Sequence, residues 1–168
     1  MEHRVLFDAK TGRWFKATHP ETYGGAPSVS YDLDPLTNRP ADHLVLSKAT
    51  PLQYLARWWL FNETFGDDVR LERVLKVGYG LSLVISQRDI SGVAATFEQI
   101  EKYFRERDFV PLPRSRYAFY RKLDDVIALD AHPANLVLTA SGVVPIDIPT
   151  FRGCADRDVA QWLRKAGF

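Results

Sequence analysis

An α+β fold is predicted, and three observations predict it. Hydrophobic residues make up 46% of the 168-residue chain and charged residues 26%, a balance that supports a packed core and argues against global disorder. Strand-like runs come in pairs around turn residues, and two helix starts carry the same Thr-x-x-Gln capping signature. The order runs hairpin, helix, hairpin, helix, small β cluster, helix. Strands and helices therefore do not alternate strictly, and a doubly wound parallel sheet is the poorer match. The length suits one domain or two small lobes.

The elements follow in chain order. "HRVLF" and "RWFKAT" flank "DAKTG", which reads as a β-hairpin with Gly12 free to take a positive φ. Residues 19–49 hold six prolines and glycines and read as one long loop. "TPLQYLARWWLFNETF" opens a helix: Thr50 caps it, Pro51 suits the first turn, Gln53 closes the capping box, and Gly66 ends it. Leu52, Leu55, Trp59 and Asn62 share one face, which is the expected buried stripe. The other aromatic residues of this helix are expected to pack in the core or between lobes.

"RLERVLKV" and "LSLVISQ" form a second hairpin around Gly78 and Gly80. This Gly-x-Gly lacks a third glycine and precedes a strand, so it is read as a turn and not as a phosphate loop. Thr96 and Gln99 cap the next helix, with Phe97, Ile100 and Phe104 as its inward stripe. "DVIAL", "NLVLT" and "VVPID" are short strands, and Asp156 caps the last helix, "RDVAQWLRKA".

Composition excludes several classes. The formal net charge is +1 with no long basic run, so nothing points to a nucleic acid or an anionic membrane as partner. The single cysteine, Cys154, forms no intrachain disulfide and fits a reducing compartment. "MEHRVLFDAK" carries charges where a signal peptide needs an apolar core, and no apolar run approaches a membrane span of ~20 residues. A cytoplasmic protein is expected. No G-x-S-x-G, H-E-x-x-H or C-x-x-C occurs.

One stretch carries candidate chemistry: "LDAHPANLVLTASGVVPID", residues 129–147. Asp130 is expected at a strand end, Asn135 at the start of the next strand, and Asp147 at the end of the strand that pairs back. Two hairpin arms then deliver two carboxylates and an amide oxygen to one sheet edge. Such oxygen donors suit Mg²⁺ shared with substrate phosphates, while one carboxylate stays metal-free to act on a proton. His132 has no partner histidine at ligand spacing and is read as a loop-packing residue.

The Asp130/Asn135 spacing, in the form "DAHPANLVL", resembles the catalytic loop of the protein-kinase-like superfamily, particularly its small-molecule branch. "TPLQYL…LFN…F" followed by "DAHPAN" looks like the polyvalent kinase-like domains of bacterial mobile elements. The resemblance implies a truncated kinase-like fold, with an N-lobe at residues 1–89 and a reduced C-lobe at 90–168. It implies ATP and Mg²⁺ as cofactors. Lys16 would sit on the phosphates, Asn135 and Asp147 would hold the metal, and Asp130 would orient the acceptor hydroxyl. Glu63 would stand for the helix glutamate, and Gln87 with Arg88 for the hinge beside the adenine.

The pattern also departs from the family. Ala128 replaces the histidine before the catalytic loop, "DIP" replaces Asp-Phe-Gly, and no glycine-rich loop precedes Lys16. The 21 residues after Asp147 are too few for an activation segment and a protein-substrate platform, so the acceptor is expected to be small or held by a partner. Two alternatives stay open: a nucleotide- or partner-binding pseudokinase, and a non-enzymatic α+β interaction module.

Overall fold

The computed structural model describes residues 3–33 and 40–168. The fold is α+β, with three helices and antiparallel sheets. The first sheet has the order β1-β2-β6-β5, from β1 (His3–Asp8), β2 (Arg13–Thr18), β5 (Arg70–Val77) and β6 (Gly80–Arg88). Gly12, at φ 63°, makes the β1–β2 turn as expected, and Gly78, at φ 60°, makes the β5–β6 turn. β5 is an edge strand whose residues are all exposed; its Arg70, Glu72, Arg73 and Lys76 discourage pairing with another chain.

Between these hairpins come β3 (Gly25–Leu33), β4 (Pro40–Lys48) and α1 (Pro51–Phe65). α1 begins with the Thr50–Gln53 capping box and ends at Gly66, whose φ of 70° suits a left-handed cap. β7 (Val93–Ala94) and α2 (Phe97–Arg105) follow, the latter capped by Thr96 and Gln99. A second sheet, β13-β10-β9-β8, is built from β8 (Val110–Pro111), β9 (Phe119–Arg121), β10 (Val126–Ala128) and β13 (Thr150–Arg152). A third, β12-β11-β7, contains the hairpin of β11 (Leu136–Thr139) and β12 (Gly142–Pro145). The last helix, α3 (Arg157–Lys165), is capped by the Asp156 carboxylate, which accepts from the N–H groups of Asp158 and Val159.

β10 lies between two cores. Val126 and Ala128 face a cluster that contains Tyr54, Trp58 and Phe61 of α1, Leu83 and Ile85 of β6, and Ile100 and Phe104 of α2. Ile127 and Leu129 face the other way, against Phe151, Val159, Trp162 and Leu163. A strand buried on both faces is apolar without alternation, which is why "VIAL" is a continuous apolar run. The first core draws side chains from both sides of residue 89, so the two halves are packed together by one hydrophobic cluster.

Several sequence expectations need correction. Residues 19–49 are not one long loop: β3 and β4 pair along nine registered positions, from Gly25↔Lys48 to Leu33↔Pro40. Residues 34–39 of that expected loop lie outside the described residues. In a two-stranded sheet each strand is an edge, so Pro27 is tolerated, and its presence hid the alternation of "SVSYDL". α1 is turned about one residue from the expected face. It buries Tyr54, Arg57, Trp58, Leu60 and Phe61, while Leu52 and Trp59 are 76% and 60% exposed. The buried face offers three aromatic rings where the expected one offers one, and rings of this size dominate the burial term. On α2, Phe97 is only half-buried; Tyr103 joins Ile100 and Phe104 in the core. Asp147 lies two residues beyond the end of β12.

Candidate functional site

Asp130 follows β10 in a loop fixed from both sides. Leu129 N–H donates to Pro149 O at 2.9 Å, and Ala131 N–H to Tyr117 O at 2.9 Å. Between these anchors Asp130 takes φ 56°, a left-handed conformation that aspartate tolerates better than most residues. Pro133–Asn135 then forms a single 3-10 turn, capped by His132, whose Nδ1 accepts from Ala134 N–H at 3.2 Å. Its Nε2 lies 3.5 Å from Asp130 Oδ1 and 3.3 Å from Asn135 Nδ2.

Asn135 completes the cluster. Its Nδ2 donates to Asp130 O at 2.9 Å and Asp130 Oδ2 at 3.3 Å. That orientation turns the amide's donor side to Asp130 and His132 and leaves Oδ1 as its acceptor. Asn135 also anchors the next segment: Ile146 N–H donates to its carbonyl at 2.9 Å, one residue before Asp147. The β11–β12 pairing, with Leu136 opposite Pro145, thus brings the Asn135 and Asp147 backbones to the same end of one hairpin. Ile148, in the core, and the buried Thr150, whose hydroxyl donates to Ile148 O at 2.9 Å, tie down the chain after Asp147.

Lys16 reaches this hairpin from the first sheet. Its Nζ lies 3.4 Å from Asp147 Oδ2, across 131 residues of sequence. The ammonium also stands 5.1 Å from the centroid of the Trp58 ring, where the ring face favours a cation. The lysine side chain is 13% exposed and the carboxylate 36%, so the cation is held from below by α1 while the anion keeps contact with solvent.

Two other expected residues sit elsewhere. Glu63 is exposed, and no hydrogen bond or ion pair joins it to Lys16 among the described residues. At 3.6 residues per turn it projects about 140° around α1 from Trp58, the side chain that contacts Lys16. The Gln87 side chain is buried, and its amide donates to Asp67 Oδ2. Arg88 Nε lies 3.2 Å from Asp67 Oδ1. Next to them, Arg13 binds Asp68 at 2.6 Å. Burial opposes the Asp68 charge, but the hydrogen bonds from Arg13 and from Arg88 N–H, with the charges of Arg13 and Arg70, hold its carboxyl below the ordinary 3.8. The side chains at this end of β6 therefore brace the α1–β5 connection.

Lys16, Asp130, Asn135 and Asp147 supply oxygen donors and one ammonium. Among the described residues no three His, Cys, Asp or Glu side chains converge into a metal cluster. Asp147 and Asn135 Oδ1 offer one carboxylate and one amide oxygen, a partial set suited to an ion that keeps waters and shares phosphate oxygens. Lys16 adds the compensating positive charge. Trp58, which supports Lys16, was expected from the sequence as a core or lobe-interface aromatic and is buried; its contact with Lys16 was not expected. No helix among the described residues is long and apolar enough to cross a membrane. Comparison with protein-family models, with curated proteins and with solved structures found no match.

Proposed function

We propose that this chain is a kinase-like domain that binds Mg-ATP and transfers phosphoryl to a small or partner-held hydroxyl acceptor. The observation that carries the reading is the Lys16–Asp147 ion pair at 3.4 Å, next to the Asp130–Asn135 cluster. These four residues were singled out in the sequence for one site; Lys16 meets Asp147, Asn135 meets Asp130, and the Ile146 N–H beside Asp147 donates to Asn135 O.

When bound, Mg-ATP supplies the phosphoryl group and the metal's charge. Asn135 Oδ1 and the Asp147 carboxylate would hold the metal, and Lys16 Nζ would neutralise phosphate oxygens. His132 and Asn135 hold the Asp130 carboxylate in one orientation, where it would accept the proton of the attacking hydroxyl. Phosphoryl transfer asks a protein mainly for positioning and charge neutralisation, which this set supplies. A second reading, nucleotide binding without turnover, is favoured by Glu63 lying away from Lys16 and by the missing glycine-rich loop.

Thermal unfolding with ATP tests both. With ligand at about a hundred times Kd, wild type should gain roughly 5–10 °C when Mg²⁺ is present and much less with chelator. Asp147→Ala should lose that gain. Asp130→Asn should keep it but lose any phosphoryl transfer to solvent or acceptor. Equal, unresponsive melting of wild type and Asp147→Ala would end the nucleotide reading; binding with no turnover in wild type favours the second.

A further inference from the structure

The first sheet has two edges, and they are built differently. β5 carries Arg70, Glu72, Arg73 and Lys76. β1 instead presents Val5, Leu6 and Phe7 in a row, 55%, 69% and 40% exposed. Among the described residues no strand pairs with the outer edge of β1, so the N–H and C=O groups along it have no ladder partner there. Folded sheets guard such an edge with charge, proline or shortness. The other edges of this fold follow that rule: β7, β8 and β13 are two or three residues long, and β3, β4 and β12 carry proline or charged residues.

The residues of β1 are also complementary to themselves. Residues 4–8 read Arg-Val-Leu-Phe-Asp: a cation, three apolar side chains and an anion. An antiparallel second copy therefore sets cation against anion at both ends, whereas a parallel copy opposes like charges. Symmetry narrows the register. A twofold axis between two antiparallel neighbours runs perpendicular to the sheet, so it opposes only residues of the same face. With Leu6 on the axis, Arg4 meets the second copy's Asp8, and Val5 meets its Phe7. Centring on Val5 or Phe7 instead loses both charge pairs. Arg4 is exposed. The Asp8 carboxylate is held in place by its own turn, where Oδ1 accepts from Lys10 N–H at 3.0 Å and Oδ2 from the Thr11 hydroxyl at 2.8 Å. An ionised carboxylate keeps acceptor sites beyond those two.

We propose that β1 is a self-association edge, through which two copies of this chain pair antiparallel about a twofold axis at Leu6. The two four-stranded sheets then become one continuous sheet whose edges are both the charged β5, so the contact closes at two copies. Facing apolar and opposite-charge pairs stabilise it. A single strand pair is a small interface, so the dimer is weak and reversible.

Sedimentation velocity of the full chain from about 5 to 500 μM tests this, the range in which small interfaces associate. Wild type should move from the 19.2 kDa monomer toward twice that mass. Leu6→Lys, at an exposed position, puts two ammonium groups on the axis and should weaken association about tenfold or more. Leu75→Lys, on the other edge, should leave it unchanged. Arg4→Asp alone and Asp8→Arg alone should each stay monomeric. An equal mixture of those two variants should dimerise, because each strand then supplies the charges that the other lacks. Wild type that stays monomeric to the top of the range overturns the proposal. So does a dimer that Leu6→Lys leaves intact, or a mixture that associates no better than its components. If Asp8→Arg disturbs its turn and fails to fold, wild type and Leu6→Lys decide the matter alone.

Discussion

Asp125 and Asp130 share an uncommon backbone conformation, φ 57° and 56°, and use it differently. Asp125 is tied into the fold: its Oδ1 accepts from Tyr120 Oη at 2.9 Å and its Oδ2 from Cys154 N–H at 2.7 Å. Among the described residues the polar partners of the Asp130 side chain are His132 and Asn135 of its own loop, and the side chain is about half exposed. Glycine would fit either backbone better, and only at Asp125 do the side-chain hydrogen bonds tie distant parts of the fold together. Asp125→Ala should cost about 2–3 kcal/mol, because two hydrogen bonds are lost and the left-handed φ remains. Asp130→Gly should stay within about 1 kcal/mol of wild type. Urea denaturation checks both, and a large loss at Asp130 with none at Asp125 would reverse the assignment.

The local part of the site was legible because Asp130, His132 and Asn135 lie within six residues, where one turn sets their geometry. The Lys16–Asp147 contact spans 131 residues, and no local spacing encodes it; the resemblance implied only that both residues face one nucleotide. Glu63 was named from its helix alone, and the rotation of that helix decides which way it points.

At the scale of elements, caps and glycine turns were the most readable features, since each depends on a few adjacent residues. Both Thr–Gln boxes, the Gly66 cap and the Gly12 turn formed as expected. The β3–β4 hairpin was missed because prolines and glycines mark loops and edge strands alike. The α1 face was missed because two stripes, one residue apart, are both apolar. Substitution distinguishes them. Trp58→Ala should cost about 3–5 kcal/mol, as expected for a buried aromatic, whereas Trp59→Gln should change stability by only about 0.5 kcal/mol. Equal costs in chemical denaturation would mean that α1 packs differently.

For the whole molecule, the perturbed groups set a pH window. Asp124 is held below the ordinary 3.8 chiefly by its hydrogen bond from Arg121, and Asp68 also lies below it. A depressed carboxyl stabilises the fold above its unfolded pKa, and that contribution is lost as pH falls through the folded value. Tyr120 goes the other way: burial, then its hydrogen bond to Asp125, raises it from 10.0 to about 12. Burial also raises Tyr103. Their stabilisation is complete below pH 10 and is lost as pH rises through the folded values, for Tyr120 between pH 10 and about 12. Urea midpoints should be level between about pH 5 and 9 and fall on both sides. Tyr120→Phe should shallow the alkaline limb, and an unchanged limb would refute the role given to Tyr120.

The Lys16–Asp147 pair also bears on the order of assembly. Closing a loop of this length carries an entropic cost that must be met before the contact returns anything. The first sheet can pair its strands locally, but the ammonium has no carboxylate until the β11–β12 hairpin has docked. This ion pair therefore waits on the docking of both halves of the chain, and a partly folded molecule with an intact first sheet would still lack it.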